Sequence, residues 1–187
     1  MKRLFVAIKI HPDENFMKTL IALRHALQLE KISWVKPDNF HLTLKFIGKT
    51  TEEKLPDIQK ALQEVVSKHK LFTLKLAGTG IFGSSYKPRV LWFGIDENET
   101  IRQLGKDVLD TLDTVGFPRD RQNFVPHLTI GRIRHIEHKK MFQEAVAAHH
   151  NDFLQEFPVD KIFLYESLLT SSGVIYRVVK GFPLERA

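Results

Sequence analysis

Cysteine is absent from all 187 residues. Its absence removes thiolate nucleophiles, cysteine zinc sites and disulfides together, and suits a cytoplasmic chain. Long apolar runs are missing as well. The best stretch, residues 90–95, falls far short of the roughly 20 residues a membrane-spanning helix needs, so no membrane partner is expected. The opening MKRLFVAIKIHPDE imitates a secretory leader, with Lys2 and Arg3 ahead of an apolar run. Lys9 cuts that run short and no small-residue cleavage site follows, so it predicts a first strand. There is no polybasic tail either. The net charge is +6 with a sequence pI near 9.5, but Lys and Arg are spread along the chain. Only modest clusters stand out, at Arg119 and Arg121 and at Arg132 and Arg134. A basic balance favours anionic partners, nucleic acid included, without naming one.

With 43% hydrophobic residues, the chain can bury a substantial core. Phe16, Leu20, Leu23 and Leu27 have helical spacing, and Pro12 and Asp13 stand where such a helix opens. Residues 40–48 alternate as a strand. Thr50, Thr51, Glu52 and Glu53 have the form of a capping box, with Leu55, Ile58, Leu62 and Val65 continuing a helical stripe. Residues 72–82 and 89–95 read as strands joined by a turn at 83–88. The order then nearly repeats. Ile101, Leu104, Val108, Leu112 and Val115 mark a helix that Gly116 and Pro118 end. Residues 126–133 read as a strand, and Met141, Phe142, Ala145 and Val146 suggest a short helix. Residues 161–169 and 174–179 form a hairpin about a turn at 170–173. No linker separates the halves, about 1–96 and 97–187. The chain is expected to be one bilobed domain with its site in the groove between the lobes.

One motif appears in both halves. His41-Leu42-Thr43 returns 86 positions later as His127-Leu128-Thr129, and Leu44 and Ile130 extend the copies to HLTL and HLTI. A single His-x-Thr arises by chance at roughly even odds in such a chain. Two copies sharing the central Leu, an aliphatic successor and a nearby Phe (Phe40 and Phe124) do not. On strands, the period of two puts each His and its Thr on one face. A fold that brings the strands together offers two imidazoles and two hydroxyls to one small anion.

That set suits displacement at phosphorus. One imidazole, neutral, takes a proton from the attacking oxygen, and the other, charged, protonates the leaving oxygen on the opposite side. The Thr hydroxyls can donate to the non-bridging oxygens and stabilise charge in the transition state. Neither triplet has a carboxylate beside it or the spacing of a His-Glu-x-x-His zinc site, so no metal or other cofactor is expected.

The paired motifs resemble the two-histidine phosphoesterases, and most closely their bacterial and archaeal branch, the RNA 2′,3′-cyclic phosphodiesterases also called 2′-5′ RNA ligases. The block WVKPDNFHLTLKFIG at 34–48 is similar to that branch's first motif, and FVPHLTIGR at 124–132 to its second. Residues 88–92 and 165–169, with Gly173 and Tyr176, resemble its strands elsewhere, in the same order. The resemblance implies an α+β fold, bilobed and pseudo-duplicated, with antiparallel sheets lining a central groove and helices outside. It implies opening of a 2′,3′-cyclic phosphate at an RNA 3′ end to a 2′-phosphomonoester. His41 would be the proton donor and His127 the proton acceptor, with Thr43, Thr129 and Arg132 holding the phosphate. Strand parity alone turns Arg132 to the other face from His127, unless Gly131 admits a bulge. The implied partners are RNA 3′ ends, with the chain acting as a cytoplasmic monomer.

Other residues carry less. His135 and His138 could face one way on a helical turn but read as surface, as do His149 and His150 at a helix end. Lys45 shares the His41–Thr43 face by parity and reads as a solvated lysine near the groove. Ser84, Ser85, Ser171 and Ser172 sit in turns without a neighbouring base. Phe5, Trp34, Trp92 and Tyr176 are candidates to stack a base. Two other readings compete. One is an RNA-binding module without turnover, which a lost His or Thr would favour. The other is a two-histidine enzyme acting on small cyclic nucleotides, which the motifs do not separate because they read only the phosphate. Ligation is the reverse reaction with a 5′-hydroxyl in place of water, and the abundance of water favours hydrolysis.

Overall fold

Leu4, Phe5, Val6, Ala7 and Ile8 are buried in succession, the pattern of a strand covered on both faces rather than one. They form the middle of β1 (Lys2–Lys9), the first element of a computed structural model that describes residues 1–96, 98–119 and 124–186. After it come α1 (Glu14–Ala26), β2 (Lys31–Trp34), β3 (His41–Thr50), α2 (Leu55–Val66), β4 (Phe72–Gly83) and β5 (Pro88–Ile95). The chain continues through α3 (Glu99–Thr114), β6 (His127–His135), α4 (Lys139–Ala148), β7 (Phe153–Val159), β8 (Lys161–Thr170) and β9 (Gly173–Pro183).

Three of the predicted helices form on the predicted faces, whereas in α4 only Phe142 is buried and Met141 is exposed. α1 opens at Asp13, whose carboxylate accepts from the Phe16 amide at 2.8 Å, and buries Phe16, Leu20 and Leu23. The capping box does not form: Thr51 makes no side-chain cap, a 3-10 turn at Glu52–Lys54 intervenes, and α2 begins at Leu55 with Pro56 in its first turn. Pro suits that place because its missing N–H has no intrahelical partner there. Ile58, Leu62 and Val65 are buried as the stripe predicts. α3 ends before Gly116, whose φ of +94° is open to glycine at little cost.

Two strands have no sequence counterpart. β2 is only four residues long. In β7, Gln155 occupies a buried position, where its amide accepts from the Asp13 N–H and donates to the His11 carbonyl. Pro158 breaks the pattern further and is tolerated because β7 lies at a sheet edge.

The described strands make one nine-stranded antiparallel sheet in the order β7-β4-β5-β6-β3-β1-β8-β9, with β2 also on β6. The sheets expected to line the groove are therefore two wings of a single sheet. They join where β3 meets β6, at Leu42 opposite Leu128. Beyond that point β2 takes over the edge of β6, pairing Trp34 with Gly131. The wings do not coincide with the sequence halves. β4 and β5 join β6, whereas β8 and β9 join β1. Helix packing crosses in the same way: α1 lies on β7, and α3 on β3. Leu42, Leu44, Leu128 and Ile130 enter the core, leaving the other sheet face at the junction to the His and Thr side chains.

Candidate active site

Around the Leu42–Leu128 pair, antiparallel register sets His41 across from Thr129 and Thr43 across from His127. All four are half-buried, alternating with fully buried neighbours, so they share the face that the helices leave uncovered. The triplets thus meet as the repeat predicts.

Each triplet is followed by a bulge. On β3, Ala7 pairs with Thr43 and Val6 with Lys45, leaving Leu44 as the extra residue. On β6, Trp92 pairs with Thr129 and Leu91 with Gly131, leaving Ile130 extra. A bulge inverts the parity of everything beyond it. Lys45, expected at the groove as a solvated lysine, is instead buried, and its Nζ donates to the Pro118 carbonyl at 2.7 Å. At the equivalent place on β6 stands Gly131, where an added Cβ would come within 2.8 Å of an Ile32 methyl. One residue further on, both strands return to the groove. Phe46 and Arg132 line one cavity of about 400 Å³ with Arg3, Phe5, Ser167 and Tyr176. Arg132 therefore faces the site through the bulge that simple alternation lacks.

The two imidazoles are held alike. His41 Nδ1 lies 2.7 Å from the Asn39 carbonyl oxygen and His127 Nδ1 lies 2.7 Å from that of Val125. A carbonyl only accepts, so Nδ1 carries the proton in each and Nε2 is left for chemistry. Aromatic rings fix both planes. Phe5 and Tyr176 each stand 5.0 Å from His41, and Phe82 and Trp92 lie 4.6 and 6.4 Å from His127.

Burial is the main reason both imidazoles hold a proton less readily than free histidine. It takes His41 down to about 4 and lowers His127 as well, against the opposing effect of the carbonyl hydrogen bonds. Arg132 lowers both further, and Lys9 and His127 add to the effect on His41. The groove is therefore positive and only partly desolvated, a setting that favours an anion between the two rings. Lys9 escapes sequence reasoning because its role depends on register: it pairs with His41 across β1 and β3, and its Nζ donates to the Asp38 carbonyl. Tyr165, buried beneath Phe5, has its hydroxyl pushed up to about 12 by burial, so it stays protonated near neutrality.

Of the four aromatic candidates, Phe5 is buried under His41 and Trp92 packs over Gly80 beside His127. Trp34 lies under the Arg24 guanidinium, and Tyr176 lines the groove itself. His135 pairs with Glu137, and His138 with Glu30, whose carboxylate also accepts from the amides of Glu137 and His138. His149 pairs with Asp152. Arg119 pairs with Asp110, and Arg121 lies outside the described residues. Among the described residues no three His, Asp or Glu side chains are grouped as metal ligands would be, and no helix is long and apolar enough to cross a membrane.

Known proteins resemble this chain in sequence and in fold. A profile of the 2′-5′ RNA ligase superfamily matches residues 12–170. The RNA 2′,3′-cyclic phosphodiesterase of Methanocaldococcus jannaschii is 34% identical over 95% of this chain and 98% of its own length. That of Aquifex aeolicus is 39% identical over 81% of both chains. Among solved structures, one from Thermus thermophilus superposes with a TM-score of 0.78 at 24% identity, covering 98% of each chain. E. coli LigT complexed with 3′-AMP gives a TM-score of 0.74 at 25% identity over 99% of each. With the paired His-Leu-Thr strands meeting at the centre of one sheet, this chain belongs to the 2′-5′ RNA ligase superfamily.

Proposed function

We propose that the protein is an RNA 2′,3′-cyclic phosphodiesterase that opens a terminal 2′,3′-cyclic phosphate to a 2′-phosphomonoester. The observation that carries this reading is the pair of imidazoles, each donating Nδ1–H to a carbonyl and presenting Nε2 to one positive groove. The relatives named RNA 2′,3′-cyclic phosphodiesterase support it. In the proposed step, His127 Nε2 takes a proton from water as the water oxygen bonds to phosphorus. The bond from phosphorus to the 3′ oxygen breaks opposite it, and His41 delivers its proton to that oxygen. Thr43, Thr129 and Arg132 hold the non-bridging oxygens.

The low proton affinity of His41 fits a donor loaded by its own substrate. The phosphate anion supplies the charge that stabilises the imidazolium, and a more acidic imidazolium gives up its proton more readily. With a 5′-hydroxyl in place of water the same groups open the ring by ligation: the 5′ oxygen bonds to phosphorus, the 3′ oxygen leaves, and a 2′-5′ phosphodiester results. We assign the activity to a cytoplasmic monomer working on RNA 3′ ends, as one bilobed domain.

The test is a product assay on an oligoribonucleotide ending in a 2′,3′-cyclic phosphate, run in EDTA because side chains carry every proton and charge in the step. A 2′-phosphate product is expected. Loss of about a hundredfold or more is expected for His41→Ala and for His127→Ala, with smaller losses for Thr43→Val and Thr129→Val. A 3′-phosphate product, or near wild-type turnover by either folded His variant, would refute the proposal. So would activity that EDTA abolishes and a divalent cation restores.

A further inference from the structure

In an in-line displacement the attacking and leaving oxygens stand on opposite sides of phosphorus. The leaving 3′ oxygen belongs to the terminal ribose. If His41 protonates it, the ribose and the RNA upstream of it lie on the His41 side, and the His127 side needs room only for water.

The groove is built with that asymmetry. The strand partner of His41 is Lys9, a cation on the same pleat, whereas the strand partner of His127 is Gly94, which has no side chain. Tyr176, whose ring stands against His41, borders two cavities and forms the wall between them. The first, about 400 Å³, holds Phe46 and Arg132. Arg132, which the proposed step sets on the phosphate, lines it together with the aromatic Phe5 and Tyr176, so the terminal nucleoside belongs there. The second, about 280 Å³, is lined by His41 itself, Lys9, His11, Phe163 and Tyr176, and the mechanism leaves it without an occupant. It runs into a further hollow of about 450 Å³ that shares Lys9, His11 and Phe163 and adds Lys161. A cation anchored beside aromatic walls suits a phosphate attached to a planar base.

We propose that this second cavity is a subsite for the penultimate nucleotide of the RNA, with Lys9 and His11 on the internucleotide phosphate and the base against Phe163 and Tyr176. The inference rests on the reading that His41 serves the leaving oxygen. It makes the preferred substrate an oligoribonucleotide of two nucleotides or more, not a free cyclic mononucleotide.

The experiment compares kcat/KM for a nucleoside 2′,3′-cyclic phosphate and for a dinucleotide ending in the same group, in wild type, Lys9→Met and Phe163→Leu. Each preference is a ratio within one protein, so a partial loss of folded enzyme cancels. Wild type should prefer the dinucleotide by roughly ten- to a hundredfold, the range that stacking one base supplies. Each variant should lose most of that preference through a higher KM for the dinucleotide. The dinucleotide KM should also rise more steeply with salt than the mononucleotide KM, and Lys9→Met should remove most of the difference. Equal efficiency on both substrates in wild type, or a preference unchanged in both variants, would overturn the subsite and leave the phosphodiesterase reading standing. Turnover of neither substrate would overturn that reading and the subsite with it.

Discussion

An imidazole packed against aromatic rings and facing cations holds its proton poorly, and both His41 and His127 are so placed. Two unperturbed imidazoles near ~6.5 would centre a bell-shaped profile close to neutrality. Because both are lowered here, the free-enzyme state with one proton shared between them peaks on the acid side. The pH profile of kcat/KM should therefore have its optimum below that of kcat, since bound phosphate raises both groups in the complex. Arg132→Ala removes a cation that lowers both imidazoles, so it should move both limbs of kcat/KM to higher pH while raising KM. Limbs that move toward acid would contradict the placement of Arg132. The apparent values belong to the coupled pair rather than to either ring. His41, Thr43, His127 and Thr129 were legible because a repeated motif survives without knowledge of the fold. Lys9 was not, because nothing along the chain says which residue a strand partner will bring.

The bulges at Leu44 and Ile130 are what separate strict alternation from the observed site. They send Lys45 into the core and return Phe46 and Arg132 to the groove. The sequence hints at the bulge on β6 through Gly131 but offers no such cue on β3, which is why Lys45 misleads. β2 and β7 were illegible for other reasons: one is too short to show a period, and in the other a buried Gln and a Pro interrupt it. Gly80 shows how closely these strands are fitted. A Cβ there would lie 2.2 Å from the Trp92 indole, which packs beside His127. Gly80→Ala should cost about 1–3 kcal/mol by urea denaturation, as overpacking does, and lower kcat by shifting the wall of His127. Unchanged stability and activity together would contradict this packing.

Across the whole molecule, strands and helices from each half of the chain complete the wing begun by the other. The sequence shows the duplication but not this exchange, because periodicity reports elements and not their neighbours. The consequence is cooperative. Heat or urea should unfold the protein in one transition with coincident fluorescence and far-UV circular dichroism signals. Residues 1–96 alone should stay unfolded, since β4 and β5 would lack β6 and β7. Two resolved transitions, or a folded fragment, would contradict one domain.

The division of labour between the two imidazoles is tested most directly by replacing the leaving 3′ oxygen of the cyclic phosphate with sulfur. A thiolate departs without a proton, so an enzyme lacking only its acid no longer needs one. Turnover of the sulfur substrate by His41→Ala should approach that of wild type, while His127→Ala, still unable to activate water, should remain inactive. Rescue of His127→Ala alone would reverse the two roles, and rescue of neither would contradict proton donation from the pair.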